Sequence, residues 1–422
     1  MRVFAHTGLS RCRRLGGLWL PLLVSGVIAV VAGACTSSPP VVTSTATLIP
    51  TPSPTTPAAT PTPTATPPEP AAKSPPTQRP SPASLSPTPE PSPQQFKSVN
   101  LPDDEGAHLA PIEWWYFNGH LADDTGREYS YHFVTFQSVT PSGLTPRLFH
   151  LSWADHEQRL YLTAEKPNLA QAKRSTGTFS FTTSEWRMEG KATIDGAEYR
   201  LAFQTGQYSV DITASSTKPP SLHQGSGLVG LGRAGKSYYY SRTRLETTGT
   251  LSVNGEERPV RGTAWMDHQW GDLNVAPVGW DWLSLQLNDG SELMVSLVWD
   301  STDHSPISGY GTYVPQDGPA INIGNDDIEL TATGSWTSPA TGTVYPMGWT
   351  LLVKSLDLSL ELSPVQQDAE FAGSRNILPS YWEGAVSVIG AMGGNPASGK
   401  GFVEMVGYDT RDRKIPTPAP VQ

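Results

Sequence analysis

The nine residues Thr263-Ala-Trp-Met-Asp-His-Gln-Trp-Gly271 bring together an acid, an imidazole, an amide and two indoles. Asp281 follows 13 positions after His268, held between Trp280 and Trp282. If the face it shares with Leu283, Leu285 and Leu287 is interior, burial favours the neutral form of its carboxyl, and a neutral carboxyl is the proton donor that acid catalysis requires. His268 is then expected to orient Asp281 or to take a proton from water, the two residues meeting across a turn. The plainer alternatives are an Asp281 bonded to a backbone turn and a His268 with a structural, interdomain role. On an extended strand Met266, His268 and Trp270 face one way and Trp265, Asp267 and Gln269 the other, which argues against a direct Asp267–His268 dyad. Glu383 in Tyr381-Trp-Glu-Gly384 and Glu404 in Phe402-Val-Glu-Met405 are further carboxyls on aromatic strands, each a second acid or, more plainly, a barrel-closing hydrogen bond.

Other chemistries lack their signatures. His132, His150 and His156 do not show the close spacing of metal ligands, and no HExxH helix or EF-hand loop occurs. A G-x-S-x-G elbow and a phosphate-cradling glycine loop are missing too, so ester or amide hydrolysis ranks last. Neither a metal nor a cofactor is expected. Cys12 and Cys35 are the only cysteines, so no disulfide framework or cysteine–zinc site can form in the folded part.

The elements that must position these groups announce themselves as a repeated aromatic hairpin. Glu113-Trp-Trp-Tyr-Phe-Asn-Gly-His-Leu121 and Gly279-Trp-Asp-Trp-Leu-Ser-Leu-Gln-Leu287 each run into a short acidic, glycine-containing turn and a second alternating segment. Trp114 and Trp280 lie 166 residues apart, about one small domain. In the first copy Trp114, Tyr116, Asn118 and His120 share a face; in the second, Asp281 shares its face with Leu283, Leu285 and Leu287. Short alternating runs recur through both halves, from Arg147–Trp153 to Thr248–Val253 and from Glu292–Trp299 to Gly401–Tyr408. With turn residues between them, they predict an all-β chain of two consecutive lipocalin-sized antiparallel barrels, roughly eight strands each, whose interiors can hold an apolar ligand. The expected domains are 98–271 and 272–414, with a tail at 415–422. Leu222 to Lys236 is glycine-rich and is expected to loop over a barrel mouth. The aromatic residues Trp114, Tyr116, Trp265, Trp270, Trp280 and Trp282, with His120, are the candidate substrate-binding set.

The ends speak to location. Residues 1–34 have the charged, apolar and small-residue regions of an export signal, and Cys35 directly after it resembles the acylated cysteine of bacterial lipoproteins. Thr36 to Lys97 carries 19 of the 40 prolines and reads as an extended, disordered tether. The expectation is a monomer anchored to the outer face of the cell membrane through lipidated Cys35. Removing residues 1–34 takes away four Arg and no acid, which leaves 25 basic against 39 acidic residues, a net of −14. Such a surface argues against nucleic acid as a partner.

Taken together, Glu113 to Leu121, Trp265-Met-Asp-His-Gln-Trp-Gly271, Trp280-Asp-Trp282, Tyr381-Trp-Glu-Gly-Ala385 and Gly401-Phe-Val-Glu-Met405 resemble the carotenoid 1,2-hydratase/AttH-like family over about residues 105–412. The resemblance implies two lipocalin-like barrels of the calycin type. It also implies a cofactor-independent addition of water to a C=C bond of a carotenoid or isoprenoid-like substrate, with Asp281 as the acid and aromatic faces stabilising a carbocation. A second reading stays open at this point: a non-catalytic lipocalin-like carrier for an apolar ligand. An Asp281 facing an open pocket favours the enzyme, and an Asp281 satisfied by backbone amides favours the carrier.

Overall fold

A computed structural model describes residues 98–409 apart from Pro141 and residues 374–378. The signal, Cys35, the tether and the tail lie outside the described residues. Within them the alternating runs become two curled antiparallel sheets, and no α-helix occurs among the described residues.

The first sheet contains β1 (Ile112–Asp123), β2 (Glu128–Gln137), β3 (Leu144–Asp155), β4 (Leu160–Gln171), β5 (Thr178–Thr182), β6 (Arg187–Thr193), β7 (Gly196–Thr205), β8 (Tyr208–Ser216), β9 (Ser221–Leu222), β10 (Leu228–Gly230), β11 (Gly235–Val253) and β12 (Glu256–Leu273). The second contains β13 (Val278–Leu287), β14 (Glu292–Asp300), β15 (Pro306–Val314), β16 (Ile321–Gly324), β17 (Ile328–Thr337), β18 (Val344–Val353), β19 (Leu358–Pro364), β20 (Glu370–Phe371), β21 (Tyr381–Met392) and β22 (Asn395–Val406). Their orders are β4-β3-β2-β1-β12-β11-β8-β7-β6-β5 and β16-β15-β14-β13-β22-β21-β19-β18-β17. The plan is the same in both: a four-stranded meander whose first strand also pairs with the last strand of its sheet, β1 with β12 and β13 with β22. The repeated aromatic hairpin is the start of each meander.

Alternation sorts the side chains into three cores. Trp115, Phe117 and Leu121 of β1 turn into the first barrel beside Phe133, Trp153 and Tyr199, whereas Leu283, Leu285 and Leu287 of β13 turn into the second beside Leu351, Leu360 and Trp382. The intervening residues form a third core between the sheets, where Tyr116, Tyr239 and Trp265 meet Trp282, Met294, Tyr310 and Phe402. Each fully buried large apolar side chain contributes about 1.5–3 kcal/mol of transfer free energy. A slip of one residue in any ladder would exchange core for seam. Both barrel interiors are filled by side chains: Trp115, Trp153 and Trp186 are fully buried in the first, and Trp382 and Tyr345 in the second. Between the sheets lie a water-sized cavity of about 10 Å³ and a wider open cleft of about 330 Å³.

Three local readings need correction. The segment 222–236 does not arch over a barrel mouth: it adds β9 and β10 to β11 and buries Val229, Leu231 and Ala234 in the seam, because those apolar residues find cover between the sheets. Ser237–Leu245 and Thr248–Val253 are one strand, β11, with a register shift between Arg242 and Leu245. Residues 160–171 form β4, a strand the polar sequence and Pro167 conceal; it stands at a sheet edge, where a residue without an N–H is tolerated.

Candidate active site at the seam between the sheets

The hairpin of β21 and β22 turns at Gly393-Gly394, both with positive φ (57° and 76°), the backbone that a tight two-residue hairpin demands. That turn fixes the register so that Glu383 stands opposite Glu404, and both side chains face the seam. Glu383 is fully buried. Burial first, and the neighbouring Glu404 charge second, push its carboxyl well above the usual carboxylate range. Glu404 is pushed up to about 7, chiefly by burial, against a hydrogen bond of 2.9 Å donated by Trp280 Nε1.

The partners of Glu383 locate its proton. Asn118 Nδ2 donates to Tyr116 Oη (3.0 Å) and to Ser284 Oγ (2.9 Å), so the Tyr116 hydroxyl is left to donate to Glu383 Oε1 at 2.8 Å. Glu383 Oε2 has no hydrogen-bond partner among the described residues. A neutral Glu383 therefore carries its proton on Oε2. The residue lines a small cavity with Ser130, Ser152, His156, Tyr161 and Phe402, and Tyr161 Oη donates to the Glu383 backbone carbonyl at 2.8 Å. His156 Nε2 is 2.9 Å from Ser130 Oγ, and burial pulls its pKa down, so the imidazole is neutral and able to accept a proton. His156 and Val365 also line a larger open cleft, together with His120, Arg244, Arg261, Gln286 and Lys400.

A further buried acid lies in the same seam. Asp267 accepts from Tyr239 Oη (2.5 Å), Ser241 Oγ (2.5 Å) and Trp265 Nε1 (2.6 Å), and Trp282 Nε1 donates to Tyr239 Oη at 3.0 Å. Burial outweighs those three bonds and raises Asp267 to about 6. Both oxygens are thus engaged by residues of the first sheet, and the link to the second sheet runs through Tyr239, which accepts from Trp282. His150 and His132 flank Tyr381, with His150 Nδ1 2.9 Å from its hydroxyl, and burial holds His150 neutral with a pKa of about 3.

Of the residues singled out from sequence, Tyr116, Trp265, Trp280 and Trp282 share the seam, and Trp114 sits half-buried at its edge against Phe136. His120 is at the outer cleft, its ring against Phe402, and burial holds it neutral with a pKa of about 3. Trp270 is not with them: alternation along β12 turns it into the first barrel, where it stacks on His108. His268 turns the same way and bonds Glu113 Oε1 at 2.8 Å, whereas Asp281 turns into the second barrel and accepts from Tyr408 Oη at 2.9 Å. The expected meeting of Asp281 with His268 is therefore corrected, since strand alternation sends them into different barrels. Burial does raise Asp281, to about 7, and its partner is the Tyr408 hydroxyl. Glu383 and Glu404 do not close a barrel; they face the other sheet. The register set by Gly393-Gly394 was the available signal for pairing them. As for metal-type donors, among the described residues one group, His108, Glu113 and His268, brings three ligand atoms within 4.8 Å of one another, inside the first barrel.

Comparison with known proteins fits this architecture. The model of the AttH-like family matches residues 92–408. A crystal structure of an AttH protein from Nitrosomonas europaea superposes with a TM-score of 0.66 at 27% identity, covering 75% of this chain and 98% of that one. Kievitone hydratase from Nectria haematococca shares the fold, with a TM-score of 0.61 at 18% identity over 74% of this chain and 94% of that one. The dehydratase asqC of Emericella nidulans is 27% identical over 227 residues, 52% of this chain and 64% of that protein, so the match spans less than two thirds of that relative.

Proposed function

The chain belongs to the AttH-like family, and from that membership and the chemistry of the seam we propose that it is a cofactor-independent hydro-lyase, adding water across a C=C bond of an apolar substrate of the isoprenoid or carotenoid type or forming such a bond by eliminating water from an alcohol. One observation carries the proposal: a fully buried glutamic acid, Glu383, with one oxygen held by Tyr116 and the other without a protein partner, on a residue that lines a water-sized cavity of about 10 Å³. A carrier needs no such acid. The asqC relative, named a dehydratase, supports chemistry of this class.

In the hydration direction Glu383 Oε2 gives its proton to one alkene carbon, and the π pair becomes the new C–H bond. The cation at the other carbon is sheltered by the low-dielectric, aromatic seam. Water attacks that carbon, and its proton passes to His156, which returns it to solvent while Glu383 is reprotonated. Dehydration is the same path reversed. Tyr116 and Asn118 act as positioning residues that keep the proton of Glu383 on Oε2. The proposal extends to the setting: export, acylation of Cys35, a Pro-rich tether that holds a monomeric domain off the membrane face, and an apolar small molecule as its partner.

The test is incubation of the purified chain with lipid extracts and acyclic isoprenoids in H2(18)O, followed by mass spectrometry. A product heavier by one labelled water, absent with Glu383→Gln, is the expected result. A bound lipid recovered unchanged in both would make the protein a carrier and end the hydro-lyase reading.

A further inference from the structure

The inside of the first barrel holds a second cluster of reactive side chains that the proposed chemistry leaves unused. His108 precedes β1, Glu113 lies on β1 and His268 on β12, so three separate stretches of chain converge. His108 Nδ1 is 2.7 Å and His268 Nε2 2.8 Å from the same oxygen, Glu113 Oε1. Each of the three is also fixed from behind. Asp104 Oδ1 is 3.3 Å from His108 Nε2, Tyr240 Oη is 3.3 Å from His268 Nδ1, and Glu113 Oε2 accepts from Gln137 Nε2 (2.7 Å) and from the His108 amide (3.0 Å). Trp270 stacks on His108 at 4.1 Å and Trp115 on His268 at 4.5 Å, so both ring planes are set by indole walls.

From this geometry we propose that His108, Glu113 and His268 bind a divalent transition-metal ion of the zinc class, which clamps residues 98–111 onto the first barrel. Two imidazoles and one carboxylate form a donor set that such ions favour, and outer partners on the far atom of each ligand are the usual support of a metal site. Metal–ligand bonds of about 2.1 Å at a tetrahedral angle place ligand atoms roughly 3.4 Å apart. The present contacts are several tenths of an ångström tighter, a difference that small side-chain rotations supply. Of the three ligands His108 is the one with solvent contact, its side chain 12% exposed against 0% for the others, and it gives the ion its path in. Binding would join a segment outside the sheet to its two neighbouring strands β1 and β12. The site faces away from the seam, so the clamp acts on stability and not on the proposed water chemistry.

The experiment is a Co2+ titration of the full chain followed by its visible d–d bands, with Zn2+-dependent thermal melting alongside. His108→Ala is the decisive variant, because its partly exposed position on the segment before β1 spares the barrel core. His304→Ala removes an exposed imidazole elsewhere and serves as the control, and any binding at Cys12 or Cys35 is common to all three chains. One Co2+ per chain with intense bands, a melting temperature raised by Zn2+, and binding at least tenfold weaker in His108→Ala but unchanged in His304→Ala is the expected pattern. Equal binding by all three chains, binding without a rise in melting temperature, or no binding at all would overturn the site, leaving an adventitious ion only or a plain hydrogen-bonded cluster.

Discussion

Glu113 and Glu383 are both fully buried glutamates on β-strands, and their environments drive them in opposite directions. Glu113, inside the first barrel, has His108 and His268 on one oxygen; these partners overcome desolvation and hold it below the ordinary carboxylate range. Glu383, in the seam, has a tyrosine and another acid as neighbours, and burial raises it. Burial alone thus decides nothing. What decides is the partner: Glu113 has His108, whose pKa is raised against desolvation by Asp104 and Glu113, whereas Glu383 has a tyrosine hydroxyl and a second acid. The first barrel pairs Glu105 with Arg242 and Glu113 with two histidines, whereas Glu383 and Glu404 stand in the seam with only neutral donors beside them, and that stretch of the seam is the one prepared for proton transfer.

The contrast is open to attack at several points. The largest effect is expected from Glu383→Gln, which keeps the shape and the Tyr116 bond but removes the acidic proton: the rate of hydration should fall by about 10²–10⁴-fold with little change in the melting curve. In the barrel, Arg242→Met should do the reverse. It strips the buried guanidinium 2.8 Å from buried Glu105, and denaturant titration should show a loss of about 3–5 kcal/mol while the seam chemistry of the surviving folded protein persists.

A pH series sharpens the comparison. The folded pKa of Glu404, about 7, exceeds its ordinary 4.5, so the unfolded chain releases this proton first. Its stabilising contribution is complete below about pH 4.5 and is lost as pH rises through 7. Glu404→Gln should therefore gain stability relative to the parent across that window, on the order of 2–3 kcal/mol at its upper end. A constant difference across the window would show Glu404 to be ionised in the fold. The smallest effect belongs to Asp281→Asn. With its carboxyl turned into the second barrel against Tyr408, hydration should stay within a few-fold of the parent, and a loss as deep as that of Glu383→Gln would return the acid role to Asp281.

Much of the fold was legible because a period of two and punctuating glycines are local properties. The duplicated hairpin at Trp114 and Trp280 marks the start of each sheet, and the faces assigned on β1, β12 and β13 are those observed. The site was legible only in part. Asp281 and Glu383 are both acids in aromatic strands; sequence favoured the first because it shares a face with Leu283, Leu285 and Leu287, and that face does turn inward and raise its carboxyl, but into the second barrel and away from the seam. Glu383 lies ten residues before Gly393 and Glu404 ten after Gly394, so the pairing of the two acids follows from one turn. Nothing local says that Tyr116, 267 positions away, supplies the bond on Glu383.

The sequence by itself determined the strands, their faces, the internal repeat and the cross-strand partners of each tight hairpin, since these depend on residues a few positions apart. Only the tertiary structure decided which outer faces meet. That choice rests on how two curled sheets bury their remaining aromatic surface against each other, a property of the assembled shape that no short window of residues contains. It made a seam of one face of each hairpin, brought Glu383 to a cavity, and sent His268 and Asp281 into separate barrels.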